Sequence, residues 1–450
     1  MLRTLKLKFR VNKKQARVLS RMSYVCTKLY NIANYERREV WNNQGNIPTY
    51  ADQCKSLKTN PWYKQLHSQS AQGVLKKLDE AYRSWYALRK KELKTNLPKK
   101  HQKARPPGFR PKEMMSTILY KQAGFQVHKN RVRLSLSDNL KDELGYPDQF
   151  LWLTFKSYQE PTGTPRTLEL KLINGVWWGF LVELVEDVKP KFNPRPKVLA
   201  IDQGIINLAA CVTSEGESLI YSGKGLLSIQ RYFNKQIATV QHRVQKREGD
   251  HAWTKGLSAF YHKRSFQTHH ALHALTKDIV QYCLDKGIQV IVLGKLKNIR
   301  KKKTKGNPGN QTLHAWAFQK FSQLLTYKAQ AAGIRVDEVS ERNTSKTCAR
   351  CGKKGNRVKR GLFKCTNKKC SAYNILRNAD LNGAYNILNR YLQLGIIARK
   401  VLVGTLAYPR VKRWNSHTWN SHKWKVRNQA TPPLSDSKAG NIPILESHTI

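Results

Sequence analysis

The chain has 450 residues, 82 Lys+Arg against 29 Asp+Glu, and a net charge of +53. Such an excess repels itself unless an anion compensates it, and phosphate is the usual partner. No segment reaches the ~20 consecutive apolar residues that span a bilayer, and Met1–Lys6 lacks the apolar run of a signal peptide.

An intracellular, nucleoid-associated protein of the cytoplasm, with no membrane partner, is therefore expected. Eight cysteines agree with a reducing compartment: four cluster, and Cys26, Cys54, Cys211 and Cys283 are read as buried thiols. The length exceeds the roughly 250–300 residues at which single cores stop growing, which predicts several domains.

Leu2–Arg10 alternates apolar and basic residues, as a strand does. Leu19, Met22, Val25, Leu29 and Ile32 recur at helical spacing over Lys13 to Tyr35, and Val74, Leu75, Leu78, Tyr82, Trp85 and Leu88 do so over Ser68 to Leu93. Those aromatics read as core. Pro106-Pro107-Gly108 breaks any helix in the basic stretch Lys91 to Lys112, a loop expected to meet nucleic acid. From Ser116 to Glu186 the pattern is β, with Asn174-Gly175 as a two-residue hairpin turn, and the block fits a small antiparallel barrel or sheet. The proline-rich Lys189 to Lys197 marks a domain boundary.

Val198–Ile201, Leu208–Thr213 and Ser218–Tyr221 then read as a three-strand meander. Helices follow over Leu226 to Lys246 and Gln267 to Lys286, the second with Leu272, Leu275, Ile279 and Leu284 on its apolar face and closed by Gly287. A strand is predicted over Ile288–Leu293, a basic loop over Lys295 to Lys305, a helix over Leu313–Ala332 and a fifth strand over Ile334–Val339. Three strands, helix, strand, helix, strand is a ribonuclease-H-like order. After Arg390 the pattern decays; the last thirty or so residues are read as disordered and carry no chemistry.

Two divalent cations held by carboxylates at neighbouring strand ends would suit cleavage of phosphodiesters. Asp202 ends the first strand in A-I-D-Q-G-I-I-N-L, and Asp380 starts the last helix in D-L-N-G-A-Y-N, where a helix-capping role is the alternative. Asn382 and Asn386 share a helix face and are read as orienting it. The fourth strand should end in Glu but has Gly294. Glu341, at the end of the neighbouring fifth strand, has the reach to fill that place, since adjacent strands lie about 4.7–4.9 Å apart. Alternation puts Asp337 and Glu341 on one face and Glu338 on the other.

Cys348-x2-Cys351 and Cys365-x4-Cys370 bracket a basic loop and predict a tetrahedral Zn2+ site. Its role would be structural, fixing the chain between Glu341 and Asp380.

In this order A-I-D-Q-G-I-I-N-L, T-S-K-T-C-A-R-C-G and D-L-N-G-A-Y-N resemble the TnpB (OrfB) family, transposon-encoded relatives of type V CRISPR effectors. The resemblance implies Asp202 and Asp380 as RuvC nuclease acids binding Mg2+ and Cys348, Cys351, Cys365 and Cys370 as Zn2+ ligands. Most members carry Glu where Gly294 stands; some TnpB lineages and the Fanzor relatives carry it just before T-S-x-T-C, where Glu341 lies. The implied fold class is mixed α/β and β, multidomain: a ribonuclease-H-like (RuvC) nuclease domain with an inserted zinc knuckle, plus an N-terminal β-barrel-like wedge domain with a helical insertion. The implied layout is a wedge strand at 1–19, a helical recognition domain at 20–115, a wedge β domain at 116–190, two nuclease segments at 191–347 and 371–395 around a knuckle at 348–370, and a basic, partly disordered tail at 396–450. The implied activity is RNA-guided DNA endonuclease, with a transposon-end guide RNA and double-stranded target DNA as partners. The alternatives are a cutting-inactive RNA-guided repressor and a DNA transposase.

Overall fold

The computed structural model describes residues 1–43, 45–94, 104–111, 113–157, 160–190, 193–248, 254–295, 318–359, 361–392, 409–414 and 424–426. Two units emerge, Met1–Glu186 and Asp187–Ile450.

The first unit comprises β1 (Leu2–Arg10), α1 (Lys13–Asn42), α2 (Tyr50–Ser56), α3 (Pro61–Lys64), α4 (Ser68–Lys94), β2 (Ile118–Lys121), β3 (Phe125–His128), β4 (Arg131–Ser135), α5 (Asp138–Leu144), β5 (Phe150–Lys156), β6 (Thr164–Ile173) and β7 (Val176–Leu184). Asn12 starts α1 with a capping box: its side chain accepts from Gln15 N at 2.8 Å while Gln15 Oε1 accepts from Asn12 N at 2.9 Å. The strands form one antiparallel sheet ordered β2-β6-β7-β1-β5-β4-β3. Its two outer strands, β2 and β3, are consecutive in the chain and joined by the short turn Gln122–Gly124. A connection that short has little reach, so the sheet curls on itself. Asn174 and Gly175 take φ of 50° and 76° at the β6–β7 hairpin, the left-handed pair such a turn demands.

Leu5, Leu7 and Phe9 of β1 share one core with Leu19, Met22, Val25 and Leu29 of α1 and Val74, Leu78, Tyr82 and Trp85 of α4. Leu88, expected on that face, is exposed. The basic stretch after α4 is described over 104–111, where it is tied along α1 and is not a free loop. Asn31 and Arg110 exchange side chain–backbone hydrogen bonds of 2.9 and 2.8 Å, and Arg110 stacks 3.6 Å from the centre of the Tyr30 ring. The rest of it, 95–103 and 112, lies outside the described residues.

The second unit comprises β8 (Val198–Gln203), β9 (Asn207–Thr213), β10 (Ser218–Ser222), α6 (Lys224–Glu248), α7 (Lys255–Asp285), β11 (Val290–Lys295), α8 (Phe318–Ala331), β12 (Arg335–Ser340), β13 (Gly355–Lys359), β14 (Leu362–Cys365), β15 (Leu376–Asn378), α9 (Ala379–Leu392), β16 (Arg410–Trp414) and β17 (Trp424–Val426). The main sheet is ordered β12-β11-β8-β9-β10-β16-β17. β8, β9 and β10 form the expected antiparallel meander, and β11 and β12 add in parallel beyond β8. Both faces are covered, as the continuous apolar run of β8 requires: residues of α7 and α8 pack on one face, those of α9 on the other.

Two elements depart from expectation. β16 and β17 lie in the region where the pattern decays, and β16 pairs in parallel with β10. Its short, basic sequence hides a strand whose apolar partner is β10. Leu284 is exposed although read as core. The basic loop at 296–305, the start of the helix predicted from Leu313, and the tail from 427 onward lie outside the described residues. Cys26, Cys211 and Cys283 are buried as expected, while Cys54 is only half-buried. Among the described residues no helix is long and apolar enough to cross a membrane.

Arg37 of α1 is 2 % exposed; it donates to Gln53 Oε1 at 2.7 Å and to Asp79 Oδ1 at 3.3 Å. Asp79 keeps Arg83 as a partner at 2.8 Å, so removing Arg37 costs mainly its own hydrogen bonds. Arg37→Met is expected to cost about 2 kcal/mol in urea unfolding, and a loss below about 0.5 kcal/mol would show that these bonds do not hold α1 to α4.

Candidate acid and metal centre

Asp202 stands near the C-terminal end of β8, opposite Ala210 of β9. Asp380 stands in the first turn of α9, where the helix dipole favours a carboxylate. The cap of that helix is Asn378, whose Oδ1 accepts from Asp380 N at 3.0 Å and Leu381 N at 3.1 Å. Asp380 is thus spared the capping role weighed for it. Its Oδ2 accepts from Asn207 Nδ2 at 2.8 Å, and its Oδ1 faces Arg357 Nη2 at 3.6 Å.

β12 ends at Ser340, so Glu341 is the first residue of the following loop and not the last of the strand. Its carboxylate nonetheless lies against Gly294. A Cβ there would stand 2.6 Å from Glu341 Cδ and overlap Oε1. Gly383, a turn into α9, makes room in the same way: a Cβ there would stand 3.1 Å from Asp202 Cγ and overlap Oδ2. Two missing side chains thus leave the space in which Glu341 and Asp202 sit. Alternation holds within the strand for Asp337 and Glu338 and does not reach Glu341. Asp337 accepts from Tyr391 of α9, while Glu338 points away to pair with Lys295.

The acids feel one another. Burial first, then Glu341 and Asp380, pushes Asp202 well above the usual carboxylate range, against a smaller opposing pull from Arg357. Burial pushes Glu341 up to about 7. Its Oε1 is buried without a hydrogen-bond partner. An orphaned carboxylate oxygen among acids that resist joint ionisation fits a hard divalent cation, which prefers oxygen ligands.

The Glu341 loop is held by one stripe of α9. Asn382 Nδ2 donates to Thr347 O at 2.8 Å, and its Oδ1 accepts from Ala349 N at 3.0 Å. Asn386 Nδ2 donates to Thr344 O and Thr347 O at 2.8 and 2.7 Å. Asn389 Nδ2 donates to Ala349 O at 3.0 Å. Arg390 donates to the carbonyls of Ser340 and Arg342, on either side of Glu341. Thr344 Oγ1 returns a bond to Glu341 O at 2.9 Å. The helix that carries Asp380 therefore also sets the backbone that carries Glu341, and the predicted orienting face of Asn382 and Asn386 grips the loop.

The sulfurs of Cys348, Cys351, Cys365 and Cys370 lie within 4.8 Å of one another, close enough to share a structural metal ion. β13, β14 and β15 form the small sheet that supports them. The longer spacing of the second pair is absorbed by a turn, with Cys370 N donating to Asn367 O at 2.9 Å. Sequence reasoning missed Asn207 and Arg357. Asn207 lies inside the first motif, but nothing in a single chain says which residue meets Asp380. Arg357 is one of many cations in the basic loop between the cysteine pairs.

A mixed sheet covered by helices on both faces, with a four-cysteine cluster packed before α9, makes a Cas12-like fold of mixed α/β content. Residues 180–300 match the OrfB_IS605 family, described as a probable transposase, and residues 318–387 match the Cas12f1-like TNB domain. The TnpB-like protein ORF457 of Acidianus two-tailed virus is 26 % identical over 419 residues, 86 % of each chain. InsQ of Escherichia coli (strain K12), named as a candidate RNA-guided DNA endonuclease, is 24 % identical over 413 residues, 86 % of this chain and 92 % of InsQ. In structure the fold is similar to Cas12f1, solved with guide RNA and target DNA, at a TM-score of 0.58 and 16 % identity, covering 84 % of this chain and 82 % of that one. The chain is thus similar over most of its length to a TnpB-like protein and to InsQ, and over shorter stretches to Cas12f proteins.

A carboxyl held at about 7 instead of 4.5 keeps its proton in the folded state after the unfolded chain has lost it. Stability of the metal-free protein then falls as pH rises through that window and levels off above it. Glu341→Gln removes the share of the fall that Glu341 contributes, while the raised Asp202 keeps its own. In chelator the variant is expected to be more stable than the unsubstituted protein at pH 8, by up to about 3 kcal/mol, and no different near pH 4.5. Equal urea midpoints at pH 8 would contradict the burial of that carboxylate.

Proposed function

We propose that this chain is a transposon-associated RNA-guided DNA endonuclease with a ribonuclease-H-like, RuvC-type catalytic domain. The observation that carries the reading is the Glu341 carboxylate in the space over Gly294, near enough to Asp202 to disfavour its ionisation, as Asp380 also does. The names of its relatives InsQ and Cas12f1, and the +53 charge, support nucleic acid as the substrate. The partners would be a transposon-end guide RNA and double-stranded DNA, the protein reading the guide–target duplex by shape and backbone while base pairing reads sequence. The chain would be laid out as wedge, recognition, nuclease and knuckle segments, as the family resemblance implies.

Asp202, Glu341 and Asp380 would hold Mg2+. Two such ions supply activation of water and stabilisation of the departing oxygen. The chain's own residues do the rest. Asn207 occupies one oxygen of Asp380 and fixes its rotamer. Gly294 and Gly383 keep the site open to the two other carboxylates. Arg357, half-exposed beside Asp380, adds positive charge where a phosphate-bearing strand would approach. The cutting-inactive reading is weaker, because the place that Gly294 leaves empty on β11 is taken by another acid.

The four cysteines would hold Zn2+. A tetrahedron with Zn–S bonds of ~2.3 Å has its sulfurs ~3.8 Å apart, and Cys351 Sγ and Cys365 Sγ stand 3.7 Å apart. Four thiolates leave no position for water, so the ion would be structural.

With guide RNA and Mg2+, the protein is expected to cut a plasmid carrying the matching target. Asp202→Ala, Glu341→Ala and Asp380→Ala should each abolish cutting while guide-dependent DNA binding persists. Full cutting by Glu341→Ala would remove that residue from the site, and cutting without RNA would sink the guided reading. Elemental analysis should find one zinc per chain, lost in Cys365→Ser together with several degrees of thermal stability; retention of the full zinc content would argue against this ligand set.

A further inference from the structure

Arg377 of β15 is 6 % exposed, opposite Phe363 of β14. Its Nη2 lies 3.8 Å from Cys348 Sγ and 3.4 Å from Ala372 O. Its Nε and Nη1 are buried without a hydrogen-bond partner. A guanidinium stays charged at any ordinary pH, and burying it uncompensated costs several kcal/mol. Arg37, the other deeply buried arginine described above, has Asp79 as its counter-charge. Among the described residues no carboxylate pairs with Arg377.

A divalent ion bound by four thiolates is a complex with two surplus negative charges. That surplus is the counter-charge Arg377 lacks. We propose that Arg377 is a positioning and charge-balancing residue of the four-cysteine centre, donating N–H to the sulfur of Cys348 and offsetting one of the two charges when zinc is bound. A second donor of the same kind is the backbone N–H of Ala372, 3.4 Å from Cys370 Sγ. The inference rests on the zinc reading above and adds to it the group that makes the cluster tolerable inside the fold. Outer groups of this sort are typically worth 10–100-fold in metal affinity.

The test uses the full chain, zinc-loaded, with Arg377→Met and Arg377→Lys. Zinc release to a chromogenic chelator should be about 10–100-fold faster in Arg377→Met and intermediate in Arg377→Lys, which keeps the charge but loses the planar fork. Thermal unfolding should show a dependence on metal. With zinc, Arg377→Met is less stable than the unsubstituted protein; stripped of zinc it is equally or more stable, because a stranded cation has gone. Release at the unsubstituted rate, or the same loss of stability with and without zinc, would overturn the proposal and leave Arg377 a packing residue. If Arg377→Met gives no soluble protein, Arg377→Lys decides alone, and release from it at the unsubstituted rate counts against the proposal. An unsubstituted protein that holds no zinc would sink the zinc reading itself.

Discussion

Burial of the Asp202 and Glu341 carboxylates, with Asp202 further disfavoured by Glu341 and Asp380, is the constraint around which the acid site of the second unit is arranged. A fold that buries carboxylates in this way must make space for them and then hold the backbone that carries them. Space comes from two glycines, one on β11 and one on α9. Restraint comes from α9, whose asparagines and terminal arginine bind the loop between Ser340 and Ala349 through its own carbonyls and amides. Each such bond contributes on the order of 1 kcal/mol, and together they fix the loop that carries Glu341.

An acid on a strand is aimed by the sheet ladder; an acid on a loop is aimed by whatever holds the loop. Glu341 is of the second kind. The same asparagines that steady it reach Ala349, which lies between the first two cysteines. The knuckle and the acid cluster are therefore not separate modules. Distortion of the cysteine loop has a short covalent and hydrogen-bonded route to the carboxylate over Gly294.

Much of this was legible in the sequence because each signal is local. Periodicity gave β1, α1, α4 and the meander, and Asn174-Gly175 named its own turn. Gly294 was legible as a vacancy, and the neighbouring strand spacing put Glu341 within reach of it, although Glu341 proves to lie on the loop after that strand. What escaped depends on pairings between distant segments. β16 is short and charged on one face, and only β10 makes it a strand. Asn207 and Arg377 look like ordinary polar residues until the fold puts Asp380 beside one and four thiols beside the other. Leu88 and Leu284 obey a helical pattern that runs past the end of the surface it packs on.

β10 is buried at every position, and one of its two edges is covered by β16. Arg410 and Lys412 fasten that cover by ion pairs to Glu217 and Asp278. A chain cut short before residue 409 would present β10 as a naked apolar border, the kind of surface on which a second molecule readily adds its own strand. The strand at 410–414 would then decide whether that border stays covered or lies open to a neighbour.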